Sequence, residues 1–245
     1  MPLIATKQTT SLYNKYGATL QAVGTIIYYV WREYDGNYYQ LWIATSNLDG
    51  TDFTATKLTT SAYDKTQPAF HVVGDTIYYV WREYYGGYYQ IWTAYSALNG
   101  SGFTSTKQTT SNYDKDAPQL QVAGGTIYYV WYHSQVGLWT ATSNLDGTAF
   151  TPTQQSSGPP AETYPQLQVV DTTIYYIFLS TLTTKPLICT ATSNLDGTAF
   201  TRTEQTTAEY LKTSPGLHVV GTTIYYVWRE FDGTHYQIWA ATSNL

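Results

Sequence analysis

The sequence predicts an all-β protein, a five-bladed β-propeller with four antiparallel strands in each blade. The composition favours strands, because 26 of the 245 residues are Tyr and 17% are aromatic. One motif recurs five times in the 245 residues, at about 49 residues per copy. Each copy contains four short apolar stretches that are separated by turn residues.

Two columns of mostly aromatic residues fix the phase of the repeat. The first column is Trp31, Trp81, Trp131, Phe178 and Trp228, and the second is Trp42, Trp92, Trp139, Cys189 and Trp239. We expect one domain over residues 1–245, with repeats at approximately 1–50, 51–100, 101–147, 148–197 and 198–245.

The second repeat illustrates the four expected strands, which read FTATKLTT, PAFHVVG, DTIYYVWRE and YYQIWTAYS. The N-terminal stretch LIATKQTT matches the first of these, which is the outermost strand of the preceding blade. We therefore expect the N-terminal strand to complete the last blade and close the ring, which would remove two open sheet edges.

Charge and composition argue against several functional classes. The net charge is −5 and basic residues are scattered, so the sequence does not predict nucleic-acid binding. No apolar run approaches the ~20 residues of a membrane span, and the N-terminus lacks the features of a signal peptide. The composition is compatible with a secreted protein, but the localisation stays open. Cys189 is the single cysteine, and we predict a monomer without cofactor or metal.

A short turn recurs in the repeats, as SNLDGTDF from Ser46 and as SNLDGTAF from Ser143 and Ser193. This turn resembles the Asp-box (bacterial neuraminidase repeat) of propeller proteins, although Asp and Gly are adjacent here. The resemblance implies a structural role for Asp49, Asp146 and Asp196, whose carboxylates would bind backbone N–H groups within the turn. The architecture is similar to that of five-bladed propeller lectins of the tachylectin type.

Sialidases share the Asp-box repeat, so catalysis must be considered. That family uses six blades, three arginines that hold a carboxylate, a Tyr–Glu nucleophile pair and an Asp acid. This chain has five repeats, and it reads GATL where the family has its Arg-Ile-Pro motif. Near-identical copies around a ring do not supply different residues in different roles at one point. We therefore expect no catalytic residues.

Loops rich in Tyr, Arg, Glu and Lys lie where the second strand of a blade turns into the third, and at the crossovers between blades. An up-and-down topology places both sets of loops on one rim, where a rigid scaffold can present binding residues. Stacking rings and charged hydrogen-bonding groups suit carbohydrate. The residues expected to bind glycans are Tyr13, Lys15, Arg32, Glu33, Tyr34, Tyr63, Asp64, Lys65, Arg82, Glu83, Tyr84, Arg229 and Glu230.

The sequence thus favours a non-catalytic, multivalent, lectin-like propeller. A sialidase-like glycosidase or its inactive remnant is the alternative, and a protein-interaction scaffold is a third reading. The adjacent Arg and Glu residues could instead form surface ion pairs of little energetic weight. The inner-strand column of Gln21, His71, Gln121, Gln168 and His218 is expected to line a central channel.

Overall fold

The prediction of an all-β, five-bladed propeller is confirmed by a computed structural model, which describes residues 7–156, 162–181, 183–207 and 209–245. The chain divides into two compact units, Met1–Thr110 and Ser111–Leu245. No helix that could cross a membrane occurs in the described part of the chain.

The first unit contains two four-stranded antiparallel sheets, blades 1 and 2, with strand orders β1-β2-β3-β4 and β5-β6-β7-β8. The strands are β1 (Lys15–Val23), β2 (Ile26–Tyr34), β3 (Tyr39–Asn47), β4 (Thr54–Lys57), β5 (Lys65–Val73), β6 (Thr76–Tyr85), β7 (Tyr88–Ala97) and β8 (Thr104–Lys107).

The second unit contains blades 3, 4 and 5, of which the first two have four described strands and the last has three. Their strands are β9 (Lys115–Ala123), β10 (Thr126–His133), β11 (Gly137–Asn144), β12 (Thr151–Gln154), β13 (Glu162–Val170), β14 (Thr173–Ser180), β15 (Leu187–Asn194), β16 (Thr201–Glu204), β17 (Lys212–Val220), β18 (Thr223–Phe231) and β19 (Tyr236–Asn244).

The predicted closure by the N-terminal strand falls on residues 1–6, which lie outside the described residues. The segment that follows them packs on blade 1, where the Gln8 side chain donates a hydrogen bond to the Gly50 carbonyl at 3.0 Å. Gln155, at the end of blade 3, makes the same bond to Gly197 of blade 4. The N-terminal segment therefore contacts blade 1 as the end of one blade contacts the next.

The two predicted aromatic columns form the centre of each blade. Trp81 pairs with Trp92 across β6 and β7, and their rings stack at 6.3 Å. In blade 4 the corresponding pair is Phe178 and Cys189, both fully buried. Residues 77–81 of β6 are all buried, so the side chains on both faces of this strand are covered.

The Asp-Gly turns of blades 1, 3 and 4 are stabilised by hydrogen bonds within the turn. The Asp49 carboxylate accepts hydrogen bonds from the backbone N–H of Thr51 at 3.0 Å and from its hydroxyl at 2.7 Å. These bonds hold the pKa of Asp49 below its ordinary value. Asp146 and Asp196 bind Thr148 and Thr198 in the same way, so all three carboxylates are used within their own turns.

Glutamines of the inner column join neighbouring inner strands within each unit. The Gln21 side chain accepts a hydrogen bond from the Val72 backbone at 2.8 Å. Gln121 accepts one from Val169 at 2.5 Å, and Gln168 accepts one from Val219 at 2.7 Å. Their oxygens therefore bind the backbone of the next blade.

Every inner strand contains a β-bulge near the rim. The residues there with positive φ are Gly17, Gln67, Ala117, Tyr164 and Ser214, each two residues after the first residue of its strand. The pairing register of each inner strand shifts at this point. Bulges of this kind redirect side chains and are common beside functional sites.

Candidate active site

The structure brings the predicted crossover and hairpin residues together in blades 1 and 2. In blade 1 the Tyr34 backbone donates to the Asn14 carbonyl at 3.2 Å, and the Tyr13 and Tyr34 rings meet edge to face at 6.0 Å. In blade 2 the ring of Tyr63 contacts that of Tyr85 at 5.4 Å. The two sets of loops thus adjoin at the same end of the blade.

The guanidinium groups of the three recurring arginines lie over tyrosine rings of their own blades. The Arg82 guanidinium is 4.2 Å from the ring centre of Tyr89 and donates to Thr66 at 2.8 Å. Arg229 makes the same contacts with Tyr236 and Thr213, and Arg32 lies over Tyr16 and Tyr39. Each arginine therefore has cation–π partners within its own blade.

The lysines and glutamates among the predicted ligands belong to a different structure, a buried cluster beneath the rim. In blade 2 the Lys65 side chain is 1% exposed and donates to Ser61 and to the Tyr63 carbonyl. Its ammonium lies 3.7 Å from the Glu83 carboxylate, which also accepts a bond from Trp81 Nε1 at 3.1 Å. These two charges hold the crossover against the core.

The cluster recurs in blades 1 and 5, where Lys15 pairs with Glu33 at 3.4 Å and Lys212 with Glu230 at 3.3 Å. Since successive residues of a strand point to opposite faces, Arg and Glu of the Arg-Glu pair separate. The adjacent Arg and Glu therefore do not form an ion pair with each other, because the glutamate faces the lysine that begins the inner strand. The recurrence of Lys and Glu at equivalent positions of the repeats was the sequence pattern that could have indicated this ion pair.

Blade 3 replaces the glutamate of this cluster with His133. The Ser111 Oγ lies 3.2 Å from His133 Nε2 and accepts a hydrogen bond from Lys115. Burial lowers the pKa of Lys115 to about 8. Burial and the nearby Lys115 charge also lower the pKa of His133, so the imidazole is neutral at pH 7.

Replacing His133 with glutamate should stabilise the protein at pH 7 by about 1–3 kcal/mol, because it adds to the charge of Asp114 a carboxylate that faces the buried Lys115, as Glu83 faces Lys65 in blade 2. The low pKa of Lys115 in the folded state means that the unfolded chain binds more protons between pH 8 and about 10. Wild-type stability should therefore gain a favourable contribution over this range, and the variant should lose it. Urea unfolding at pH 7 and pH 9.5 measures both effects.

The exposed His235→Gln variant is the control for this substitution and should behave as wild type at both pH values. A destabilised His133→Glu variant, or one with the same pH dependence as wild type, would contradict the assignment of a charged, buried Lys115.

Blade 4 inverts the charges of the cluster. Glu162 stands where the other blades have lysine, is 2% exposed, and accepts a hydrogen bond from Ser156 at 2.6 Å. Arg202 of β16 donates to Ser180, which occupies the position of the glutamate, and to Cys189. Blade 4 therefore presents a carboxylate at the start of its inner strand.

The neighbouring blade 3 has a carboxylate, Asp116, near the start of its own inner strand. Asp116 is opposite Tyr132 in the β9–β10 pairing, so both side chains lie on the same face of the sheet. Blades 2 and 5 have Thr and Arg at these positions, as in Thr66 and Arg82. Strand β13, which begins at Glu162, packs against both β9 and β10. The combination of Asp116, Tyr132 and Glu162 thus arises where blades 3 and 4 depart from the repeat.

The phenol of Tyr132 is protonated at neutral pH. Burial raises the pKa of Tyr132, and the charges of Asp116 and Glu162 raise it further. The backbone N–H of Ala117 donates to the Asp116 carboxylate at 2.8 Å and orients it. Ala117 is also the bulge residue with positive φ. Asp116, Tyr132 and Glu162 form our candidate active site, which combines two carboxyl groups with a hydrogen-bond donor.

Metal ligation is not indicated at this site. Within the described ranges, no group of three or more His, Cys, Asp and Glu side chains could hold a metal ion.

Comparisons with known proteins bear on the fold. No protein-family profile matches the chain, and no curated protein matches it significantly. An endo-arabinase from Bacteroides thetaiotaomicron has 10% identity and a TM-score of 0.60, over 97% of this chain and 96% of that one. A GH62 α-L-arabinofuranosidase catalytic domain from Coprinopsis cinerea has 10% identity and a TM-score of 0.57, over 97% and 93%. A sialidase from Trypanosoma rangeli has 10% identity and a TM-score of 0.61, over 93% of this chain but 46% of that one.

These neighbours correct the functional prediction made from the sequence. The lectin-like main reading is wrong, because the similar structures are mostly glycoside hydrolases, and the glycosidase alternative is better supported. The reason for the error lies in the repeat. Blades 1, 2 and 5 are nearly uniform at the rim, and the prediction was based on them, whereas blades 3 and 4 carry different side chains there.

Proposed function

We propose that this protein is a glycoside hydrolase of the propeller type, with Asp116, Tyr132 and Glu162 as its catalytic centre. The observation that carries the proposal is that two carboxylates at the starts of adjacent, packed inner strands both act electrostatically on one phenol, that of Tyr132. Hydrolysis of glycosides is the reaction for which two carboxyl groups are most widely used.

Each group has a role that follows from its position. In such pairs the more buried carboxyl acts as the acid, and here that residue is Glu162. Glu162 donates a proton to the glycosidic oxygen as its bond to the anomeric carbon breaks. Asp116, oriented by Ala117, takes a proton from the water whose oxygen bonds to that carbon. The Tyr132 hydroxyl donates a hydrogen bond to the sugar.

The substrate is proposed to be a neutral glycoside, and the arabinosidases among the neighbours make arabinosides the first choice. The sialidases to which the repeat is similar hold a sialic acid carboxylate with three arginines. Arg202 and Arg229 of the second unit are instead bound to Ser180 and Thr213.

The finer family relation is part of the proposal. The hydrogen bonds of Asp49, Asp146 and Asp196 within their turns support an assignment as Asp-box repeats. The exposed rim tyrosines Tyr13 and Tyr63 are proposed as contacts for a glycan chain. A monomer is the proposed state in solution.

A panel of aryl glycosides tests the function. The wild-type protein should hydrolyse an α-L-arabinofuranoside faster than a sialoside, and Asp116→Asn should slow this reaction at least about 100-fold. Glu209→Gln, which changes an exposed carboxylate in the same unit, should have no effect. Failure of the wild-type protein to hydrolyse any glycoside would show an inactive remnant and overturn the proposal.

A further inference from the structure

A second constellation of reactive groups lies on the opposite face of the same strands. Tyr132 and His133 are adjacent in β10 and point to opposite sides of the sheet. His133 faces the crossover that begins at Ser111, and Ser111 is exposed. The glycosidase proposal does not use these residues.

The hydrogen bonds of His133 define which nitrogen can accept a proton. Nδ1 lies 3.2 Å from the Ser134 carbonyl, which can only accept, so Nδ1 carries the proton of the neutral ring. Nε2 is therefore unprotonated, and it lies 3.2 Å from the Ser111 Oγ. The Ser111 hydroxyl donates to His133 in this tautomer.

Lys115 completes the arrangement. Its ammonium donates to the Ser111 Oγ and to the Tyr113 carbonyl, so developing negative charge on that oxygen would face a cation. The His133 ring contacts the rings of Tyr113 at 5.3 Å and Trp139 at 5.8 Å, which hold the imidazole in place. A hydroxyl bonded to an oriented base and a cation is the pattern of an activated serine nucleophile.

We propose that Ser111 is a nucleophile for acyl transfer, with His133 as its general base and carboxylic esters as the class of substrate. The Ser111 Oγ bonds to the carbonyl carbon as its proton passes to His133 Nε2. The bond from that carbon to the leaving oxygen breaks, and the alcohol leaves with the proton from His133. Water then attacks the acyl-serine by the same route, which releases the carboxylic acid and restores Ser111.

An equivalent serine in blade 2 serves as an internal control for this proposal. Ser61 occupies the equivalent position in blade 2 and accepts a bond from Lys65, but it faces Glu83 at 3.2 Å instead of a histidine. The Glu83 carboxylate is already bound to Trp81 and paired with Lys65. Reactivity should therefore differ between two serines in otherwise similar surroundings.

The test uses the full chain and a fluorophosphonate probe, with the labelled residue located by mass spectrometry. We expect one adduct, at Ser111, formed at least about 100-fold faster than any adduct at Ser61. Ser111→Ala should abolish labelling and Ser61→Ala should leave it unchanged. His133→Glu, which recreates the cluster of blade 2, should fold and lose labelling about 100-fold.

Turnover of p-nitrophenyl acetate provides a second measurement, in which release of nitrophenol should fall in Ser111→Ala. Equal labelling of Ser61 and Ser111 would overturn the proposal. Labelling that persists in a folded His133→Glu variant would overturn it too. Loss of glycosidase activity in Asp116→Asn with labelling retained would separate the two sites.

Discussion

Replacing Glu83 with glutamine is expected to lower the free energy of unfolding by about 3–5 kcal/mol. The side chains of Lys65 and Glu83 are 1% and 5% exposed, and their charged atoms lie 3.7 Å apart. Glutamine keeps the shape of the side chain but removes its charge. The Lys65 ammonium would then remain buried without its carboxylate, and the Trp81 N–H would lose a charged acceptor.

The control is Glu204→Gln, since Glu204 belongs to a more exposed pair with Arg202 and its own side chain is 53% exposed. An exposed pair contributes about 0–1 kcal/mol, so this variant should unfold close to wild type. The double variant Lys65→Met/Glu83→Leu should recover much of the loss, because it leaves no buried charge. Urea denaturation measures all three, and a loss below 1 kcal/mol for Glu83→Gln would contradict the buried-pair assignment.

Much of the fold was predictable because the same sequence pattern occurs five times. The two aromatic columns located the second and third strands of each blade, and Trp31 and Trp42 do pair across β2 and β3. Local chemistry also made the Asp49 turn predictable, since an Asp side chain can bond only nearby N–H groups in such a turn.

The roles of the rim charges were not predictable in the same way. Lys65 stands in a polar loop sequence, where a lysine is normally exposed. Its burial depends on Glu83, which is 18 positions further along the chain, and on the pairing of β5 with β6. A buried, structural role can be assigned to a charged residue only when its partner is known. The sequence of one blade does not identify that partner.

The candidate active site was not predicted from the sequence, because the prediction was based on positions that the blades share. Asp116 and Tyr132 replace the Thr and Arg of blades 2 and 5, and Glu162 replaces the Lys of the other blades. Each substitution is unremarkable alone, and their proximity depends on how β13 packs against β9 and β10. In a repeat protein, the columns in which one blade departs from the others are the places to search for catalytic groups.

Glu162→Gln is expected to slow hydrolysis of arabino-oligosaccharides by about 10²–10⁴-fold, the usual contribution of a general acid. A sugar alkoxide is a poor leaving group and needs the proton that Glu162 supplies. A dinitrophenolate leaves without protonation, so the same variant should hydrolyse a dinitrophenyl arabinoside at nearly the wild-type rate. Glu209→Gln should leave both reactions unchanged.

The comparison of these two substrates in the Glu162→Gln variant is the most direct test of glycoside hydrolysis at blades 3 and 4. The proposed mechanism predicts a large loss with the oligosaccharide and less than about a tenfold loss with the activated glycoside. An equal loss with both substrates, or no loss with either, would contradict Glu162 as the proton donor and with it the proposed active site.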